Sequence, residues 1–185
     1  MDKRVEEILI TKWQIDEGLK KAAKWIDETY KNSKKDLILV GLLRGCVPFY
    51  GQLLSLIKTD VITDFMLVSS FDGEDVRISE PKIIVDVQLS ITDKDVLLVE
   101  DIIDSAKTIT YVIQHLKQKN PHSIKVISFL DKKAGRQCEF ELDYYCYDIE
   151  DKFLVGYGLD YKEKLRNLPY VGVFKSNKKE EKNNE

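Results

Sequence analysis

Long apolar runs are missing from this 185-residue chain: no window approaches the roughly 18 uninterrupted apolar residues of a membrane-spanning helix. Cysteine is scarce. The three present, Cys46, Cys138 and Cys146, are odd in number and follow no metal-ligand spacing. They suit a reducing compartment better than a disulfide framework or a structural zinc site. The two histidines, His115 and His122, have no Cys or His partner at ligand spacing, and both read as surface residues. A basic excess is missing too. The net charge is −3, which argues against a protein built mainly to hold nucleic acid. The first residues, 1–7, lack the apolar core of a secretory signal, so a cytoplasmic chain is expected.

What is present is an ordinary globular composition. Apolar residues make up 43% and charged residues 33%, with length enough for one domain and a sizeable core. The segment 1–174 reads as that domain. The remainder, 175–185, is mixed-charge and apolar-poor, and is expected to be a disordered tail. Thr11 and Gln14 read as a capping box, followed by Ile15, Leu19, Ala22, Ala23, Ile26 and Tyr30 at helical spacing. Strands are expected at 5–10, 37–41, 61–71, 82–87, 96–99, 124–130, 144–149, 153–155 and 170–173. Helices are expected from Val47-Pro48-Phe49 onward and at 108–119. Between the third and fourth strands, 72–81 is polar and of a length that suits a mobile surface loop. Strands alternating with helices through 37–130 predict an α/β fold with a mostly parallel sheet.

The most informative run is 96–108. Four apolar residues, Val96 to Val99, are followed by adjacent carboxylates at Glu100 and Asp101, then by Asp104 and the turn Ser105-Ala106-Lys107-Thr108. In an α/β sheet this puts polar groups at the carboxyl edge, where such folds bind ligands. Adjacent carboxylates can accept from neighbouring hydroxyls such as those of a ribose. Hydroxyls and free amides at the start of a helix suit a monophosphate. Asp104, between the two, could take a proton. A phosphate-binding P-loop is excluded, because there is no glycine from Val96 to Thr108 and the loop is too acidic for a triphosphate.

The run resembles the PRPP-binding signature of the type I phosphoribosyltransferases, and most closely their 6-oxopurine branch. One position departs: Ala106 stands where that branch has glycine, and Ala tolerates fewer backbone conformations. The resemblance covers roughly residues 5–174. It implies a mostly parallel twisted sheet flanked by helices, with a small hood formed by N- and C-terminal segments. It implies that Glu100 and Asp101 hold the ribose hydroxyls. Residues Asp104, Ser105, Ala106, Lys107 and Thr108 would hold the 5′-phosphate, and Asp104 would be the base at purine N7. Leu43-Arg44-Gly45 is similar to the family's pyrophosphate loop, with Arg44 in place of Lys and the preceding peptide in cis. Ser70 and Phe71 fall at the base of a closing loop, where Phe71 lacks the family's tyrosine hydroxyl. Lys132 would donate to the 6-oxo group, with Arg136 nearby.

A second strong segment, 151–161, matches the family's base pocket. By the resemblance Phe153 stacks on the purine, Leu154 contacts it through backbone atoms, and Asp160 belongs to the purine site. Asp160, Glu100 and Asp101 are implied as Mg²⁺ ligands, since Mg²⁺ is a hard cation that prefers oxygen. Arg166 would contact pyrophosphate. The implied activity is transfer of a phosphoribosyl group from PRPP to a 6-oxopurine by a homo-oligomer that engages neither membrane nor nucleic acid. Two rivals remain at this point: a PRPP-sensing regulator on the same fold, and an enzyme for xanthine or adenine. The acidic balance and the intact 151–161 segment weigh against the regulator. The sequence leaves open the preference among hypoxanthine, guanine and xanthine.

Overall fold

The computed structural model describes residues 1–69 and 81–175. Ser70 and Phe71, expected at the base of a closing loop, the loop expected at 72–81 apart from Pro81, and the tail beyond Lys175 lie outside them.

A capping box starts the first helix. The Gln14 amide donates to Thr11 Oγ1 at 3.3 Å and the Thr11 amide donates to Gln14 Oε1 at 2.8 Å. Two orphan donors are thereby satisfied at the head of α1, Lys12–Tyr30. Its apolar stripe, Ile15 to Tyr30, packs on one face of a six-stranded sheet. The strands are β2 (Leu37–Leu43), β3 (Val61–Ser69), β4 (Lys82–Val85), β5 (Asp95–Ile103), β6 (Ser123–Asp131) and β7 (Tyr144–Asp148). Their order is β4-β3-β2-β5-β6-β7, and all pairings are parallel except β3 with β4.

Side chains alternate across β2, as the pleat requires. Leu37 and Leu39 face α1 and α2 (Val47–Leu54), with Leu97, Val99 and Phe129 beside them. Ile38, Val40 and Leu42 face α3 (Lys107–Lys117), with Leu98, Ile109, Val112 and Leu116. A sheet covered on both faces accounts for the near-continuous apolar runs of β2 and β5. The first strand, β1 (Val5–Ile10), pairs with β9 (Val171–Phe174), which pairs with β8 (Leu154–Val155), all antiparallel. The chain's two ends thus build one small three-stranded sheet, the expected hood.

One element differs in a way that matters. β5 does not end at Val99 but runs on to Ile103, because β6 keeps pairing with it: Glu100 with Ser128, Ile102 with Leu130, Ile103 with Asp131. Glu100 and Asp101 are therefore strand residues, and the turn begins at Asp104. β2 likewise continues through Leu43, paired with Leu67 of β3. His115 is not simply a surface residue: its Nε2 lies 2.8 Å from Asp86 Oδ2, which Lys119 Nζ also reaches at 2.8 Å. Among the described residues no helix is long and apolar enough to cross a membrane.

Leu97 is fully buried at the centre of β5. Leu97→Ala should cost about 2–5 kcal/mol, the range for a core leucine that leaves a cavity. The lower midpoint of a urea unfolding curve, at unchanged slope, would measure it.

Candidate active site

The carboxyl ends of β2, β5 and β6 converge at one edge of the sheet, and the hood closes over it. A cavity of about 390 Å³ opens there, walled by Asp101, Ile102, Asp104, Lys132, Asp151, Lys152, Phe153, Leu154, Leu159 and Asp160. Chain segments far apart in sequence meet in that wall: the end of β5, the residue after β6, and the 151–160 segment.

Three clusters organise the edge. In the first, Lys132 Nζ lies 3.2 Å from Asp104 Oδ2 and 2.6 Å from Asp151 Oδ1. The ammonium is largely buried between two exposed carboxylates, and their hydrogen bonds, against the cost of burial, leave its pKa raised. Phe153 is half-exposed on the same wall, edge-on to Tyr161 and Phe174 at 6.1 and 5.6 Å between ring centres, so its position is fixed by the hood.

The second cluster is anionic. Asp101 packs against the turn after β2, where a Cβ on Gly45 would lie 1.6 Å from Asp101 Oδ2, so any side chain at Gly45 would push the Asp101 carboxylate aside. The peptide between Leu43 and Arg44 is cis. Glu100 accepts from the Asp101 amide at 3.3 Å and does not line the cavity. Burial, and then the neighbouring Asp101 charge, push the Glu100 carboxyl well above its ordinary range. Burial also pushes Asp101 up to about 6, against the pull of the Ile102 amide and Arg166.

The third cluster is cationic. Arg166 donates from Nη1 to Gly158 O at 2.8 Å, and its Nη2 lies 2.9 Å from Asp160 Oδ1 and 3.1 Å from Glu163 Oε2. Glu163 Oε2 also holds Arg44 Nη1 at 2.8 Å. Arg166 Nε is buried without a hydrogen-bond partner among the described residues. Gly158, at φ +103°, brings this segment against the Arg44 turn, where a Cβ would lie 1.9 Å from Gly45 O.

Between the clusters runs the 104–108 turn. Ala106 adopts the left-handed conformation, φ 64° and ψ 1°, as N-cap of α3. Glycine enters this left-handed conformation at no steric cost, whereas it costs alanine about 1–2 kcal/mol. The Lys107 amide lies 3.4 Å from Ser105 Oγ, and Thr108 follows in the first turn of the helix. Arg136 does not line the cavity.

Sequence reasoning passed over two contributors. Asp151 opens the matched 151–161 segment but received no task; its contact with Lys132 gives it one. Glu163 was not singled out, although it sits three residues from both Asp160 and Arg166. For a metal, the oxygen donors are Asp160 and Asp101, with Glu100 behind. Among the described residues no group of three or more acidic, His or Cys side chains is gathered into a metal cage. That donor set fits Mg²⁺, which is commonly held by one or two carboxylates together with substrate phosphate oxygens.

The phosphoribosyl transferase domain family model matches residues 10–162. A hypoxanthine-guanine phosphoribosyltransferase of Mycoplasma genitalium is 42% identical over 170 residues, 92% of this chain and 96% of that relative. One from Streptococcus thermophilus is 41% identical over 175 residues, covering 95% and 96%. Among solved structures, a hypoxanthine phosphoribosyltransferase of Staphylococcus aureus superposes with a TM-score of 0.86 at 37% identity, covering 93% of this chain and 92% of the other.

Two expectations test this geometry. Carboxyls whose pKa values are raised by folding destabilise the fold as pH climbs from their unfolded to their folded values. Glu100→Gln removes one of the pair, so its thermal midpoint should match the parent near pH 4 and exceed it increasingly toward pH 8. Ala106→Gly should move stability by no more than about 1 kcal/mol, since relief of the left-handed alanine is offset by glycine's unfolded-state entropy. A calorimetric comparison at neutral pH would read it.

Proposed function

This chain belongs to the phosphoribosyltransferase family, and from that premise we propose that it transfers the 5-phosphoribosyl group of PRPP to hypoxanthine, and also to guanine, giving IMP or GMP and pyrophosphate. The observation that carries the choice of acceptor is the Lys132 ammonium held beside the Asp104 carboxylate on the wall that presents Phe153. Purine O6 and N7 lie side by side on one edge of the base. A cation that donates to O6 next to a carboxylate that accepts from N7–H reads that edge. Adenine presents an amino donor to Lys132, leaving donor against donor, which a buried site rejects strongly. Phe153 supplies the flat face on which the ring stacks.

In the reaction N9 attacks the anomeric carbon, the bond from that carbon to pyrophosphate breaks, and the N7 proton passes to Asp104. The Ser105–Thr108 turn holds the 5′-phosphate through hydroxyls and the free amides that begin α3. Asp101 and Glu100 receive the ribose hydroxyls. Their reluctance to ionise side by side is relieved when hydroxyl donors and a cation arrive. Arg44 and Arg166 face the departing diphosphate, and the unpartnered Arg166 Nε supports that role. Asp160 and Asp101, with Glu100 behind them, would hold Mg²⁺ together with the substrate's oxygens, and the ion would supply charge neutralisation for the leaving group. Ser70 and Phe71 belong to the proposed closing loop. The free thiols Cys46, Cys138 and Cys146 support a cytoplasmic location, and a homo-oligomer goes with the family reading.

Incubation with PRPP, Mg²⁺ and each of hypoxanthine, guanine, xanthine and adenine tests the proposal. Nucleotide should form with hypoxanthine and guanine and not with adenine; no product from any oxopurine would end the enzyme reading. Asp104→Asn should lower kcat by about 10²- to 10⁴-fold, the usual worth of a positioned base, while PRPP binding measured by calorimetry persists.

A further inference from the structure

The short segment after β6 does more than deliver Lys132. It folds into a single 3-10 turn at Lys133–Gly135, and the turn clasps the chain where it leaves β5. The Lys132 amide donates to Ile103 O at 2.9 Å and the Gln137 amide donates to Ser105 O at 3.0 Å. Between them Arg136 Nη1 donates to Ile103 O at 3.0 Å and to Asp104 O at 2.8 Å. Its Nη2 is paired with Asp131, which is 2% exposed. The guanidinium also lies 5.9 Å from the Phe140 ring centre. Three consecutive carbonyls, on Ile103, Asp104 and Ser105, are thus spoken for by one turn.

The side chain of Asp104 is shaped by the same turn. A Cβ built on Gly135 would stand 1.6 Å from Asp104 Oδ1 and 2.8 Å from its Cγ. The Asp104 carboxylate, half-exposed and 3.2 Å from Lys132, occupies the space that any larger residue would take. Its backbone is held by a cation that never reaches the cavity, and its carboxylate by a missing side chain.

We propose that Arg136 and Gly135 are positioning residues for Asp104: Arg136, braced on Asp131, fixes the Asp104 peptide, and Gly135 admits its carboxylate to the orientation in which it faces a purine beside Lys132. This rests on the reading of Asp104 as the N7 proton acceptor. Arg136 is therefore neither a solvated loop cation nor a substrate contact. It is a strut, charged because only a guanidinium satisfies two carbonyls and a buried carboxylate from one plane. A base displaced by about 1 Å can lose on the order of 10²-fold in rate, so small motions of this turn matter.

Two variants read the device in the full-length protein. Gly135→Ala leaves every clasp hydrogen bond in place and evicts only the carboxylate. Arg136→Lys keeps a cation opposite Asp131 but cannot grip both carbonyls. In each, kcat for IMP formation should fall about 10- to 100-fold while KM for PRPP stays within about threefold. The Gln137 amide still holds Ser105, so the phosphate turn keeps its place. A kcat within about twofold of the parent in both variants, or kcat and PRPP KM worsening together as the thermal midpoint drops, would overturn the inference. Asp104→Asn run in parallel separates the two readings. If it loses turnover while both variants keep theirs, the positioning inference alone fails. If it keeps turnover, the base reading fails and takes the inference with it.

Discussion

The pairing of β5 with β6 beyond the apolar run is the contact on which the rest of the site depends. Val96 to Val99 would form a strand in any α/β core. The register that continues from Glu100–Ser128 to Ile103–Asp131 is different in kind, because it keeps two carboxylates in extended backbone at the sheet's edge. It also brings Asp131 level with Ile103, so that the chain leaving β6 lands on the chain leaving β5. Lys132, the 3-10 turn and Arg136 then fall where they can hold the 103–105 carbonyls. Main-chain hydrogen bonds set the geometry, and the charged side chains inherit it.

The same edge keeps crowded carboxylates and an unpaired donor close together. Glu100 and Asp101 are crowded and reluctant to ionise, while Arg166 keeps a buried donor unused. A fold optimised for stability alone would neutralise one and pair the other. Both are retained within one small region, and a substrate carrying hydroxyls, phosphates and a cation would meet them there under the proposed function.

Legibility in the sequence followed the range of the physics. Local patterns were readable: the Thr11–Gln14 box, the α1 stripe, the alternation of β2 and the strand-turn-helix of 96–108 all depend on neighbours a few residues apart. The family resemblance extended this to 43–45 and 151–166, which the fold gathers at one edge. The parts that stayed hidden were set by contacts across the sheet. The end of β5 depends on β6, Asp151 acquires its partner only when the hood closes, and Glu163 bridges arginines from opposite ends of the domain. Arg136 looked like one basic residue among several in a polar turn, because nothing in the order of residues says that carbonyls await it.

The Arg44–Glu163–Arg166 triad carries a consequence of its own. Glu163 reaches Arg44 across 119 residues of chain, and both side chains are open to solvent. Both cations proposed to receive a diphosphate are thus already paired with carboxylates, so its binding would be an ion exchange in which one anion displaces another. The net affinity is a difference between two exposed, salt-screened attractions, each modest in water. Under the proposed role such an exchange would be close to balanced in both directions, and near balance would let a product as highly charged as pyrophosphate leave.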